Sequence, residues 1–89
     1  MLQDRQEKIV YLFQKGSEEQ VRFVVRQYKD RYYVDVRLWF LPSVGKEYRP
    51  TRKGITLSID LLSELEKGFE KAANAAQELA LQPSPMPVK

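Results

Sequence analysis

The chain has no cysteine and no histidine in its 89 residues. Without thiols there is no disulfide and no thiolate nucleophile. Without imidazole, Ser/His and Cys/His catalysis and ordinary zinc sites are excluded. Long apolar runs are also missing. The opening segment MLQDRQEKIVYLFQ starts with charges of both signs, and its apolar run is too short for a signal peptide or a membrane span. These absences predict one small, soluble, intracellular domain over residues 1–81 with no cofactor, no metal, no membrane partner and no small-molecule substrate. A core of this size is marginal, because a short chain buries only about two-thirds of the surface its unfolded form exposes.

Carboxylates are scarce in the middle of the chain. Residues 20–57 hold nine cations (Arg22, Arg26, Lys29, Arg31, Arg37, Lys46, Arg49, Arg52 and Lys53) against Asp30, Asp35 and Glu47, a balance of +6. The preceding residues 1–19 sum to −1 and residues 58–81 to −3, so the overall +3 conceals a segregation. A cationic middle suits a polyanionic partner, although it is also compatible with a solvated charged face. An enzyme is not expected. Asp35 is the one carboxylate of this region away from a turn or loop, and a carboxylate among arginines is ionised and charge-balancing rather than a raised-pKa acid. Acid/base chemistry or a metal cage would need acidic neighbours.

Residues 8–14, KIVYLFQ, are β-branched and aromatic and read as a strand, followed by a turn at Lys15-Gly16-Ser17. Residues 20–28, QVRFVVRQY, form a second strand, and residues 31–40, RYYVDVRLWF, a third. Lys29-Asp30 between them is a two-residue hairpin loop, with Asp the more tolerant of a positive φ. That loop sets the register: Tyr28 faces Arg31, Arg26 faces Tyr33, Val24 faces Asp35 and Arg22 faces Arg37. Successive side chains alternate between faces. One face therefore gathers these cations and rings with Trp39. The other gathers Val21, Phe23, Val25, Val34, Val36, Leu38 and Phe40, an apolar set expected to form the core. The opposed Arg22 and Arg37 repel; either an anion lies across them or Asp35 neutralises them diagonally. A fourth, broken strand runs from Tyr48 to Leu57, where Pro50 marks an edge or bulge and Gly54 a bulge or close approach.

Ser58 is a good N-cap, and a helix is expected from Ile59 to Leu81. Leu62, Leu65, Phe69, Ala72, Ala76 and Leu79 fall at spacings of three and four, a narrow apolar stripe. The stripe has to cover the sheet. At 1.5 Å per residue the helix is roughly 35 Å long, more than a four-stranded sheet is wide. Its alanine-rich half allows close approach of a second helix, so Leu65, Phe69, Ala72, Ala76 and Leu79 are assigned to a homodimer interface. Residues 82–89, QPSPMPVK, hold three prolines and are expected to be a disordered tail.

The runs VRQYKDRYYVDVRLWF (25–40) and KEYRPTRKGITLS (46–58) resemble the DNA-binding domain of the transcriptional coactivator family of positive cofactor four. The resemblance is carried by the Val34 to Arg37 pattern, the pair Trp39-Phe40, the basic residue before Pro50, and above all by Arg52-Lys53-Gly54-Ile55-Thr56-Leu57 leading into the capped helix. It covers roughly residues 20–76. The turn departs from the family, with Lys29-Asp30 where Lys-Gly is favoured. The chain resembles the compact bacterial or viral members, which implies the cytoplasm or nucleoid rather than the nucleus.

The resemblance implies an α+β fold: a curved, four-stranded antiparallel sheet followed by one helix (ββββα), dimeric through the helices. It also implies sheet grooves that bind single-stranded DNA with little sequence preference. By position the contacts fall to Arg26, Tyr28, Lys29, Arg31, Arg37, Arg49, Arg52 and Lys53. The family's key tryptophan aligns with Phe40, whereas alternation puts Trp39 on the cationic face. Both are candidates, with Trp39 favoured on physical grounds. From the residues themselves, Tyr28, Tyr33 and Trp39 are stacking platforms for bases, while Arg22, Arg26, Arg31, Arg37, Arg49, Arg52 and Lys53 take phosphates. RNA binding is an alternative, since no residue is bound to read a 2′-hydroxyl. So is a basic interaction module that docks acidic partners. The process served (replication, recombination, repair or transcription) is open.

Overall fold

A computed structural model describes residues 5–81. The tail expected over 82–89 lies outside the described residues. Four strands, β1 (Arg5–Gly16), β2 (Glu19–Tyr28), β3 (Arg31–Phe40) and β4 (Arg49–Ser58), form one antiparallel sheet in sequence order. A 3₁₀ turn at Ile59–Leu61 leads into α1 (Leu62–Leu81). The architecture is the expected ββββα with an open, curved sheet. β1 is longer than its apolar run because its ends, including Glu7 and Gly16, still find ladder partners on β2.

The β2–β3 hairpin has the expected register, from Tyr28 opposite Arg31 to Glu19 opposite Phe40 without interruption. The positive φ falls on Lys29 (53°), not on Asp30. The first loop position is the one that a type II′ hairpin turns to positive φ. β4 breaks as its Pro and Gly predict. Arg37 faces Gly54 and Trp39 faces Pro50, so Thr51, Arg52 and Lys53 together oppose the single residue Leu38. This bulge lies on the β4 side, and β3 itself stays regular against β2.

Ser58 caps the chain's turn into the helix, its Oγ accepting from the Asp60 amide at 3.3 Å. Asp60 and Glu64 sit in the opening turns, where the helix dipole favours negative charge. The first three residues wind as 3₁₀, so the α-helix begins at Leu62 rather than Ile59.

Packing departs from expectation in one respect. The helix does not cover the sheet. The 3₁₀ turn touches β3 and β4, and α1 continues away from them. The Cα radius of gyration is 17.0 Å, with extents of 61 × 38 × 18 Å. A compact chain of this length would have a radius of about 12 Å. The expected apolar core face is therefore open. Tyr11 is 61% and Ile55 46% exposed, and the rings of Tyr11, Phe13 and Phe23 cluster on it, Tyr11 and Phe23 edge to face and the other pairs tilted. Among the described residues the two fully buried ones, Val24 (2%) and Asp35 (0%), lie on the other, cationic face. Alternation separates the two sets of side chains; the direction of the helix decides which set is covered.

Candidate nucleic-acid interface

Directly opposed residues of an antiparallel pair share a face. Arg22, Val24, Arg26 and Tyr28 of β2 therefore share a face with Arg31, Tyr33, Asp35, Arg37 and Trp39 of β3. Ser58, Thr56, Gly54 and Pro50 join them from β4, and Glu7, Ile9 and Leu12 from β1.

Asp35 is the buried anchor of this face. Its carboxylate accepts from Arg37 Nε at 3.1 and 3.2 Å, from Arg37 Nη2 at 2.8 Å, and from the Thr56 hydroxyl. Burial pushes its pKa up. The hydrogen bonds from Arg37 and Thr56, together with the charges of Arg37 and Arg26, outweigh that and hold it below the ordinary carboxylate value. Arg37 is correspondingly raised, chiefly by its hydrogen bond to Asp35. The repulsion between Arg22 and Arg37 is thus relieved by the diagonal carboxylate.

Arg37 has little left to offer a ligand. Its Nη1 donates to the Thr51 carbonyl at 3.0 Å and its Nη2 also reaches Thr56 Oγ1 at 3.3 Å. It ties the β4 bulge to β3. Thr51 completes the tie, its hydroxyl donating to the Leu38 carbonyl at 2.8 Å and accepting from the Lys53 amide at 3.1 Å. Gly54 makes the approach possible: a Cβ there would lie 2.7 Å from both Arg37 Cβ and the Val36 carbonyl oxygen.

The face carries rings at both ends. At the hairpin end, Arg26, Tyr28, Tyr33 and Thr56 line a cleft of about 310 Å³. Lys29 Nζ lies 5.3 Å from the centre of the exposed Tyr28 ring, and Arg26 Nε stands 3.7 Å from Glu7. At the other end the Arg22 guanidinium lies 4.5 Å from the centre of Trp39 and 5.2 Å from that of Tyr48. Arg31 is exposed beside the loop and Arg52 is exposed on the bulge.

The remaining candidates are not brought together here. Phe40 and Arg49 oppose each other and share the apolar face. Lys53 lines a shallow hollow with Val21, Val36 and Leu38, also apolar-face residues. On α1, Leu65 is half-buried, while Phe69, Ala72, Ala76 and Leu79 are exposed. Sequence reasoning missed Tyr48, Gln14, Gln20, Thr51 and Thr56. Thr56 is brought opposite Asp35 by the β3–β4 ladder; Tyr48, expected to open the fourth strand, lies just before β4, which begins at Arg49. Among the described residues no three carboxylates gather as a metal site, and no helix is long and apolar enough to cross a membrane.

An open antiparallel sheet of four strands, with a cationic, ring-bearing face and a C-terminal helix, defines the class of protein. Within that class the chain belongs to the Transcriptional Coactivator p15 (PC4) family, whose profile matches residues 15–68. A PC4 homolog from Burkholderia pseudomallei K96243 is similar in two crystal forms. The orthorhombic form is 35% identical with a TM-score of 0.66, covering 74% of this chain and 88% of that one. The tetragonal form is 34% identical with a TM-score of 0.69, covering 76% and 98%. A bacteriophage T5 homolog of PC4, implicated in recombination-dependent DNA replication, shares the fold at 24% identity and a TM-score of 0.54, covering 89% and 99%. No curated protein sequence matches.

Proposed function

We propose that the chain binds single-stranded DNA without sequence preference through the cationic face of its sheet, as a homodimer. The observation that carries this is the union of rings and arginines on one face: Tyr28, Tyr33 and Arg26 in the cleft, Trp39 beneath Arg22 at the far end. Unpaired bases expose ring faces that stack on such side chains, at about 1–3 kcal/mol per base, while cations follow the phosphates. A duplex hides those faces. Arg22, Arg26, Lys29, Arg31 and Arg52 take phosphates in this reading. Arg37 positions the bulge instead, and Phe40, Arg49 and Lys53 lie toward the apolar side. The process served is DNA replication, recombination or repair, or transcription regulation, as the phage relative's role suggests. No catalytic step is involved.

The homodimer is supported by what a single chain leaves open. The stripe of α1 and the apolar face of the sheet are both exposed, and a second copy carries the complementary pair. The measurement is a titration of labelled oligo-dT under rising salt, beside a light-scattering mass. Neutralising about five phosphates gives a slope of log K against log salt near −3.5. A slope near zero, equal affinity for duplex, or preference for matched RNA overturns the reading.

A further inference from the structure

Away from the hairpin loop, Arg22, Arg26 and Arg37 rise from the central strands on the cationic face, and their charges are in different states. Arg37 is engaged by the buried Asp35, and Arg26 stands near Glu7. Arg22 has no carboxylate within ion-pair distance among the described residues. Its Nε donates to Gln20 Oε1 at 2.9 Å. Gln20 Nε2 donates to Gln14 Oε1 at 3.1 Å, and Gln14 Nε2 donates to the Tyr48 phenol oxygen at 3.0 Å and to the Gly16 carbonyl at 3.0 Å. The Tyr48 and Trp39 rings then meet the guanidinium, closing a ring of contacts. Apart from Arg22 every member is neutral. Carboxamides and rings orient a guanidinium without cancelling its charge, and the Nη donors that match a phosphate have no protein acceptor among the described residues.

We infer that Gln14, Gln20 and Tyr48 are positioning residues that hold Arg22 against Trp39 as a preformed clamp for one phosphodiester of the bound strand. The inference rests on the strand-binding reading above and names which arginine the protein keeps free for it. A guanidinium already fixed loses less freedom on meeting its anion, so the relay contributes affinity without contributing charge.

The test uses the full chain, oligo-dT titrated at several salt concentrations, and circular dichroism to confirm folding. Arg22→Gln is expected to weaken binding and to make the salt slope shallower by about 0.7, the share of one phosphate. Gln20→Leu and Tyr48→Phe are expected to weaken binding about threefold with the slope unchanged, since only preorganisation is lost. In an Arg22→Gln background Gln20→Leu is expected to add nothing. Arg22→Lys keeps the charge and the slope but not the affinity, and it carries the test should Arg22→Gln unfold. If the wild type binds with a steep slope while Arg22→Gln matches it in slope and affinity, the clamp is wrong and the strand-binding reading stands. If Gln20→Leu costs the same with or without Arg22, the positioning relay is wrong. If the wild type does not bind oligo-dT at all, both fall.

Discussion

The two faces of the sheet solve opposite problems. The cationic face holds the buried charge, and that charge is surrounded within one chain: Asp35 has Arg37, Thr56 and the bulge around it. The apolar face holds the aliphatic and aromatic groups, yet one chain leaves them half open, with Phe13 44% exposed. The polar side is finished locally because hydrogen bonds close over a few ångströms between adjacent strands. The apolar side is not, because burial needs a second layer and the helix that could supply one points away. The fold of a single chain is thus held at its polar floor and left open on its apolar side.

The largest test of that contrast is Asp35→Leu. Removing one partner of a buried pair leaves the other uncompensated, and a loss of about 3 kcal/mol or more is expected in urea unfolding. A near-neutral result would mean that the polar floor is not what holds the strands. Gly54→Ala comes next. The added methyl meets backbone atoms of β3 rather than a flexible side-chain end, so roughly 1–3 kcal/mol should be lost. Arg37→Gln should weaken the same region while leaving the salt slope of oligo-dT binding almost unchanged.

On the other side of the comparison, Phe69→Asp puts a charge on the exposed helical stripe. A light-scattering mass falling from two chains to one is expected, with far-ultraviolet dichroism of the sheet retained. A wild-type mass of one chain would instead leave the apolar face without its proposed cover. Acid supplies a gentler probe of the polar floor. The folded pKa of Asp35 is depressed, so its contribution to stability is complete above the unfolded value of about 3.9 and is lost as pH falls through the folded one. Urea midpoints should drop over that acid range in the wild type and drop less in Asp35→Asn. The smallest effect has the opposite sign to Gly54→Ala. Gly68 has nothing within 4 Å of an added Cβ, so Gly68→Ala should stabilise the helix by roughly 1 kcal/mol.

Much of the fold could be read from residue pattern alone. A two-residue loop at Lys29-Asp30 fixes the β2–β3 register, and that register fixes which side chains share a face. Pro50 and Gly54 bracket the bulge because each breaks the ladder for its own reason. Which face is covered could not be read that way, since alternation is symmetric between faces and the helix direction depends on how the 3₁₀ turn leaves β4. The candidate site was legible in its residue types but not in their division of labour. Arg22 and Arg37 look alike in sequence. Arg37 lies two positions from a carboxylate on its own strand; Arg22 is met by a glutamine two positions away on its own strand and, beyond it, by Gln14 and Tyr48 from outside that strand.

The outer strands have a further consequence for how the protein behaves in a crowded solution. A sheet with two free edges invites continuation by any extended peptide, including another copy of itself. Here the ladder of β1 is broken around Val10 and again around Lys15, and β4 carries Pro50 and the Arg52-Lys53 protrusion. Each interruption bends the edge or adds charge to it. The sheet therefore ends at its fourth strand, and growth into fibrils is discouraged at both margins while its broad sides remain open for use.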